Sequence, residues 1–368
     1  MKRAAAAVIG LTAATMFVGC SKAEVEETIQ PLVADAIEEA DSEAEAVKDE
    51  DNSELIPEID TDVKISAGAR IAVVSKATKG EYWKLVKKGM EDAVKAINEA
   101  YGYKKDDQIT MTFEGPDKEE DVEDQINIID AVIAENPDVL CISAGDMDSC
   151  QAQLEAAKEN GIPVITFDSN VSEKKLVRAY RGTDNFQAGK MAAYELGRNI
   201  GKIGKVAVFS AQEKTKSVQD RVSGFLNNIG NYGDIEVVET IYSDQVDDMT
   251  DAMQEVLEKY PELDGVFCTN ADITEMYLDM EKSDEHDAPA LVGVDATTKQ
   301  QEAIRNGDEI GTVSQQPYAM GYQTIWAAME ATAPRKSVVI EKNILINPAW
   351  IDADCLDDPE YSAYLYTE

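Results

Sequence analysis

Residues 139–168 read VLCISAGDMDSCQAQLEAAKENGIPVITFD and contain one complete strand–helix–strand unit. Two short apolar runs, at 139–142 and 164–167, predict buried strands, and the spacing of apolar residues over 149–160 predicts a helix between them. The Gly-Ile-Pro sequence at 161–163 ends this helix and leads into the second strand. Because parallel strands need a crossover of about a dozen residues or more, usually a helix, the unit predicts a parallel sheet.

The same alternation continues on both sides of this unit. Before it, strands are predicted at 71–74 and 109–113, and helices at 82–100 and 122–134. After it, helices are predicted at 186–200, 217–228, 249–260 and 273–280, and strands at 205–209, 235–241, 265–269, 290–294 and 312–314. Two sets of similar rhythm predict an α/β fold of two doubly wound parallel-sheet domains, with a ligand cleft where the carboxyl ends of the sheets face each other.

The amino end has the pattern of an export signal. Met1-Lys2-Arg3 is basic, residues 4–18 are almost wholly apolar, and Gly19 precedes Cys20. An apolar run this short does not span a membrane comfortably, so it is expected to be removed after export. Residues 1–20 resemble a bacterial lipoprotein signal, which implies acylation of the Cys20 thiol and a lipid-anchored, extracytoplasmic protein. An ordinary secretory signal with an incidental cysteine is the alternative.

Composition limits the partners that this chain can have. It has 368 residues and a formal net charge of −38, and a surface so acidic repels the phosphates of nucleic acids. Residues 21–64 contain 16 acidic residues and three lysines, which predicts a disordered acidic tether. The single histidine, His286, lies in a polar run, which argues against Ser-His-Asp, Cys-His and zinc–histidine sites. No metal or cofactor is expected.

Polar and aromatic side chains follow the predicted strands. Because the carboxyl ends of parallel strands share one edge of a sheet, these side chains are candidates for a common site. They are Lys76, Tyr82, Trp83, Ser143, Asp146, Asp168, Ser169, Asn270, Asp295 and Gln315, with Arg221 in a following helix. Several of them also have an ordinary structural explanation. An aspartate at a strand end caps the next helix, Tyr82-Trp83 packs in a core, and Arg221 lies on a solvated surface.

Five ordered segments resemble the sugar-binding proteins of ABC transporters, of the ribose and galactose type. They are IPVITFD at 162–168, GTDN at 182–185, RVSGF at 221–225, VGVD at 292–295 and VSQQP at 313–317. The resemblance covers roughly residues 65–346. It implies one domain at 65–183 plus 316–346 and a second at 184–315, with a carboxyl-terminal extension at 347–368. It also implies three strands that cross between the domains, near Thr183, Asp295 and Gln315.

The resemblance implies a function as well, the binding of a monosaccharide or small carbohydrate by a monomer that delivers it to an ABC importer permease and is not an enzyme. It assigns ligand contacts to Tyr82, Trp83, Asp168, Ser169, Arg221, Asn270, Asp295 and Gln315, with Lys76, Ser143 and Asp146 as further candidates. Sugar chemistry fits these residue types. Carboxylates accept hydrogen bonds from adjacent hydroxyls, guanidinium groups donate, amides do both, and aromatic rings cover the C–H faces.

At three positions the sequence differs from the family pattern in a way that affects which sugar is expected to bind. Ser169 stands where the ribose branch has an arginine, Gly80 replaces an asparagine, and Lys76 replaces a small polar residue. We expect the Lys76 charge to lie in solvent at the rim, whereas a charge inside the cleft would favour an acidic or phosphorylated sugar.

Other classes of protein remain as alternatives. One is a sugar-sensing receptor subunit that presents its closed form to a signalling membrane protein. Another is an exported glycosidase with Asp168 and Asp295 as its carboxylate pair. A transcription regulator with this type of domain needs a basic DNA-binding segment at its amino end, where this chain has an export signal and an acidic run.

Overall fold

The computed structural model describes residues 55–280, 288–333 and 338–367. The predicted signal with Cys20, most of the predicted tether and His286 lie outside these residues. The predicted disorder does not extend to residue 64, because the carbonyls of Asp60 and Val63 accept from the Tyr101 hydroxyl at 2.9 and 2.8 Å. Of the helices in the described ranges, none is both long enough and apolar enough to cross a bilayer.

Within the described residues, twelve strands alternate with nine α-helices. The strands are β1 (Arg70–Val74), β2 (Thr110–Glu114), β3 (Val139–Ile142), β4 (Val164–Phe167), β5 (Ala179–Thr183), β6 (Ile203–Ser210), β7 (Asp234–Tyr242), β8 (Gly265–Cys268), β9 (Ala290–Val294), β10 (Gly311–Ser314), β11 (Asn343–Ile346) and β12 (Ala349–Ile351). The helices are α1 (Glu81–Tyr101), α2 (Val122–Ala134), α3 (Gln151–Glu159), α4 (Asn185–Asn199), α5 (Lys216–Ile229), α6 (Met249–Lys259), α7 (Ala271–Met280), α8 (Thr298–Asn306) and α9 (Pro317–Thr332). Every element predicted from the sequence is present, and β5, β11, β12, α8 and α9 are additional.

The strands form two six-stranded sheets of the same topology. The first sheet has the order β2-β1-β3-β4-β5-β11 and is parallel throughout. The second has the order β7-β6-β8-β9-β10-β12 and is parallel except for β12, which pairs antiparallel with β10. We call the two units built on these sheets the first and second lobes. The prediction of two doubly wound α/β domains is confirmed.

A close helix pair packs on the sheet of each lobe. In the first lobe α1 lies against α9, and only a glycine permits the contact, because a Cβ at Gly89 would lie 2.0 Å from the carbonyl oxygen of Tyr318. In the second lobe α4 lies against α5 in the same way, and a Cβ at Gly189 would lie 1.9 Å from the carbonyl oxygen of Arg221. These pairs fix α1 and α5, which both carry predicted site residues.

Within the described residues, the chain passes between the lobes at 183–185, 314–317 and 346–349. The predicted crossing near Asp295 is wrong, because Asp295 follows β9 and the chain stays in the second lobe through α8 and β10. The last crossing instead joins β11 of the first sheet to β12 of the second. The segment predicted as an extension therefore supplies an edge strand, in which Ile351 pairs with Thr312.

Candidate functional site

A cavity of about 600 Å³ lies between the lobes at the carboxyl ends of both sheets, and we call it the interlobe cleft. The first lobe contributes the loop after β1, the start of α1 and the end of β4. The second lobe contributes α5 and the ends of β8, β9 and β10. Eight of the predicted site residues line it: Lys76, Tyr82, Trp83, Asp168, Arg221, Asn270, Asp295 and Gln315.

Asp168 is the central acceptor of the first lobe. Its φ of 53° is in the left-handed region, which non-glycine residues rarely adopt and which surrounding contacts must stabilise. The Tyr82 hydroxyl donates to Oδ1 at 2.7 Å, and the Ser143 hydroxyl donates to Oδ2 at 2.7 Å. Burial opposes ionisation of this carboxyl, but the charge of Lys76 and the two hydroxyl donors outweigh it and hold the pKa of Asp168 below its usual value.

Asp295 has the matching place in the second lobe. It also follows a strand with a left-handed backbone, at a φ of 80°. Its Oδ1 accepts from the side-chain amide of Gln315 at 2.7 Å and from the Tyr366 hydroxyl at 2.9 Å. Its Oδ2 accepts from the backbone N–H of Ala271 at 3.0 Å, at the start of α7. Each lobe thus presents one oriented carboxylate to the cleft.

Lys76 lies inside the cleft, so the expectation of a charge in solvent at the rim is wrong. The side chain is 5% exposed, and its Nζ lies 3.1 Å from Asp168 Oδ2 and 3.5 Å from Glu119 Oε2. Burial lowers the pKa of Lys76, but these two carboxylates raise it more, and the net shift is upward. Two neighbouring carboxylates offset the cost of burying the ammonium, which sequence position alone does not reveal.

Arg221 and Asn270 belong to the second-lobe wall. Arg221 is 3% exposed and donates from Nε to the side-chain oxygen of Asn185 at 2.8 Å and from a terminal nitrogen to the carbonyl of Thr269 at 2.7 Å. These contacts hold the guanidinium in one orientation beside the cleft. The Asn270 side-chain oxygen accepts from the backbone N–H of Ile273 at 3.2 Å, in the first turn of α7.

The paired aromatics serve the core and the cleft together. Tyr82 and Trp83 are 8% and 3% exposed, and their rings meet edge to face at a centroid distance of 5.0 Å. Both belong to the main apolar cluster of the first lobe, and both line the cleft. The Trp83 ring nitrogen donates to Glu119 at 3.0 Å, which orients the indole.

Three predicted residues do not line the cleft. Ser143 lies behind Asp168 as its donor. The Ser169 hydroxyl accepts from the backbone N–H of Ser217 at 3.2 Å, a contact between the lobes. Asp146 accepts from the backbone N–H groups two and three residues ahead, at 2.8 and 3.1 Å, so it orders its own loop.

Sequence reasoning missed an acidic wall of the cleft and the residue Tyr366. The wall consists of Glu81, Asp117, Glu119, Glu120, Asp272, Glu275 and Asp279. Partial enclosure between the lobes, reinforced by the nearby carboxylates of Glu119 and Glu120, raises the pKa of Asp272 to about 7. The acidic run at 117–121, directly after β2, was a signal that could have identified part of this wall.

Two parallel-sheet lobes with an oriented carboxylate from each define the class of two-lobed proteins that enclose a small polar molecule. The chain belongs to the family described as the periplasmic binding protein domain, whose model matches residues 71–336. The family resemblance seen in the sequence is confirmed.

Two curated relatives are import or binding proteins for sugars. The chain is 26% identical over 205 residues to the ribose import binding protein RbsB of Bacillus subtilis, a match that covers 56% of this chain and 66% of that protein. It is 20% identical over 288 residues to the D-allose-binding periplasmic protein of Escherichia coli, covering 75% of this chain and 88% of that protein. These relatives are binding proteins and not enzymes, as the sequence predicted.

A solved structure shows the same architecture. An ABC transporter solute-binding protein from Agrobacterium vitis with bound D-fucose has a TM-score of 0.73 and 27% identity, and the match covers 81% of this chain and 100% of that one. The glucose-galactose binding protein GanP from Geobacillus stearothermophilus has a TM-score of 0.67 and 21% identity, covering 80% and 100%, and its likeness concerns the fold alone.

Proposed function

We propose that this chain is the solute-binding protein of an ABC importer and captures a neutral monosaccharide in the interlobe cleft. The observation that carries the proposal is the pair of oriented aspartates, Asp168 and Asp295, one from each lobe. A ligand that bonds to both carboxylates holds the lobes together, and the closed form is then presented to a membrane permease.

The cleft has the mixture of groups that a sugar needs. Asp168 and Asp295 accept hydrogen bonds from hydroxyls, and a charged acceptor makes the stronger bond. Arg221 donates, and Gln315 supplies an amide. Trp83 offers an apolar surface for the C–H face of a ring. A cavity of about 600 Å³ is large enough for one monosaccharide.

Charge favours a neutral ligand over an acidic one. The Lys76 ammonium already has two carboxylate partners, Asp168 and Glu119, so it does not offer an uncompensated positive charge. The acidic wall adds negative potential around the cleft, which repels a sugar acid or sugar phosphate. Thus Lys76, although it lies inside, does not create the acidic-sugar site that its position would suggest by itself.

Transport is favoured over sensing because the relatives carry names of import and transport proteins. We further propose that the protein acts outside the cytoplasm as a monomer and is tethered by a lipid on Cys20. The acidic residues before position 55 would then hold the lobes away from the membrane.

A ligand screen tests the proposed function. The mature protein, expressed from the full sequence, is heated with pentoses, hexoses, polyols, nucleosides, sugar acids and sugar phosphates. A neutral monosaccharide at about 100 times its Kd should stabilise the folded state by about 2.7 kcal/mol, because only the folded state binds it. A response restricted to sugar acids would contradict the neutral ligand, and no response to any sugar would contradict the function.

The matched control is the double variant Asp168→Asn, Asp295→Asn. It retains the shape of both side chains and removes both charged acceptors. We expect its melting temperature to be insensitive to the sugar that stabilises the wild type. A variant that still responds fully would show that the ligand binds elsewhere.

A further inference from the structure

After β12 the carboxyl-terminal tail returns to the boundary between the two lobes, beside Asp295. A short 3-10 turn, Pro359–Tyr364, leads into Leu365 and Tyr366. The carbonyl of Tyr364 accepts from the Ser314 hydroxyl at 2.5 Å, which anchors the tail to the end of β10. At Tyr366 the backbone N–H donates to the carbonyl of Ala296 at 3.0 Å, and the carbonyl accepts from Gln301 at 3.1 Å. The tail backbone is therefore fixed to the second lobe.

The Tyr366 side chain connects this backbone to the first lobe. It is fully buried and belongs to the apolar cluster of the first lobe, where its ring lies 6.0 Å from the ring of Tyr82. Its hydroxyl donates to Oδ1 of Asp295 at 2.9 Å. A single residue near the end of the chain thus contacts the aromatic core of one lobe and the carboxylate of the other.

The contact has a counterpart in the first lobe. The Tyr82 hydroxyl donates to Asp168 just as the Tyr366 hydroxyl donates to Asp295, and the planes of the two neighbouring tyrosine rings are tilted by 51°. Burial, with the charge of Asp295 beside it, raises the pKa of Tyr366 well above its usual value, so its hydroxyl remains a donor at all physiological pH values. Each aspartate of the cleft therefore has a permanent tyrosine donor.

We propose that Tyr366, in the carboxyl-terminal tail, is a positioning residue for the ligand-binding site, which sets the orientation of the Asp295 carboxylate and thereby the affinity for the sugar. The inference rests on the proposed function where it concerns the affinity for a sugar. Oδ1 of Asp295 accepts from Gln315 and Tyr366, and Oδ2 accepts from the Ala271 N–H, so loss of the Tyr366 hydroxyl leaves one donor on each oxygen. The carboxylate is then held less tightly about its last torsion, which is broad and weakly restrained by itself. The acceptor geometry that the sugar meets would then be lost.

A double-mutant cycle tests this positioning role. Tyr366→Phe removes the hydroxyl and keeps the ring in place, and Asp295→Asn removes the charged acceptor. Calorimetric titration with the sugar found in the screen should give about a tenfold weaker Kd for Tyr366→Phe, because binding must then also orient the Asp295 carboxylate. In the Asp295→Asn protein the same change should have little further effect. An equal loss in both backgrounds would overturn the role of Tyr366 through Asp295.

Tyr364→Phe is the matched control. Tyr364 lies in the same tail, is also buried, and donates its hydroxyl to the carbonyl of Asn347 at 3.2 Å, away from Asp295. We expect its Kd to equal that of the wild type. An equal loss of affinity in both tail variants would show that the tail matters only for general stability, and would overturn the proposal.

A crystal structure of empty Tyr366→Phe separates this inference from the proposed function. The Asp295 carboxylate should be rotated or present in two orientations, whatever the protein binds. An unchanged, fully ordered carboxylate would overturn the positioning role even if sugar binding is established. If the wild type binds no sugar in the screen, the proposed function fails, and the crystal structure still decides the role of Tyr366.

Discussion

At the scale of single residues, Lys76, Asp168 and Glu119 form a charged group inside the cleft. Burying ions is costly, and such a group persists only where opposite charges and hydrogen-bond donors compensate each other. Asp168 has a lowered pKa and Lys76 a raised one, so both are ionised at neutral pH. Burial raises the pKa of Glu119, against the lowering effect of Lys76. Lys76 is therefore the cation that lies within ion-pair distance of both carboxylates.

Replacing Lys76 with methionine should destabilise the empty protein. The change keeps most of the volume but leaves Asp168 without its cation, and breaking a buried pair costs about 3–5 kcal/mol of the free energy of unfolding. Because the pKa of Asp168 is lowered in the folded state, its contribution is present above its usual pKa and is lost as the pH falls through the folded pKa. Urea denaturation should show the difference between the two proteins shrinking in acid.

Lys79→Met is the control for this prediction. Lys79 also pairs with a carboxylate, that of Asp117, but both side chains are about two-thirds exposed. Exposed pairs contribute little to stability. We expect a free energy of unfolding close to that of the wild type. A similar cost for both lysines would mean that the buried position of Lys76 has no special role.

Cys20 is the residue on which membrane attachment depends in our proposal. Cys20→Ala removes the only thiol that the lipoprotein signal would acylate, so the exported protein should be released from the membrane. Fractionation of cells, followed by immunoblotting of membrane and soluble fractions, measures this release. Full retention of Cys20→Ala in the membrane fraction would contradict the lipid anchor.

At the scale of elements, the α1–α9 and α4–α5 helix pairs pack closely because glycines lie at their contacts. Apolar spacing predicts α1 well, because one face carries Val86, Met90 and Ile97 and the other carries charges. Helix α9 lacks such a pattern, since nearly all of its residues are buried. A helix buried on all sides shows no amphipathic period, which is why the sequence did not reveal it.

Gly89→Ala should separate the α1–α9 pair. The new methyl group would lie 2.0 Å from the carbonyl oxygen of Tyr318, so one helix must move. Overpacking of this kind typically costs about 1–3 kcal/mol of stability, although alanine favours a helix more than glycine does. Gly233→Ala is the control, because a Cβ there meets no atom within 4 Å. Thermal unfolding of both variants compares them, and a Gly89→Ala protein as stable as Gly233→Ala would contradict the close contact.

At the scale of the whole molecule, the two lobes touch on both sides of the cleft. On one side the Glu81 carboxylate, at the start of α1, accepts from the backbone N–H of Thr298 at 2.8 Å, at the start of α8. On the other side the backbone N–H of Met147 donates to the carbonyl of Lys214 at 3.0 Å. These contacts describe a closed arrangement of the lobes, in which a ligand would be enclosed.

Glu81→Ala should shift the molecule away from this closed arrangement. The change removes a hydrogen bond between the lobes and leaves the hydrogen bonds within each lobe in place, so the fold should persist. Because the closed arrangement loses one contact, affinity for the sugar should fall by about three- to tenfold. Calorimetric titration measures the affinity, and small-angle X-ray scattering measures the separation of the lobes. Glu91→Ala is the control, since Glu91 lies on the same helix and pairs with Lys87 of that helix. Equal affinities for the two variants would contradict a role for Glu81 in closure.

The sequence by itself determined the alternation of strands and helices, the two-lobed α/β fold, the family and eight residues that line the cleft. These properties follow from local apolar periodicity and from polar residues at strand ends, which are both written along the chain. The tertiary structure alone decided three others: the burial of Lys76 between Asp168 and Glu119, the crossing at 346–349, and the contact of Tyr366 with Asp295. Each joins residues distant in sequence, and the free energy of such contacts depends on packing and charge compensation in three dimensions, which leave no local periodic signal.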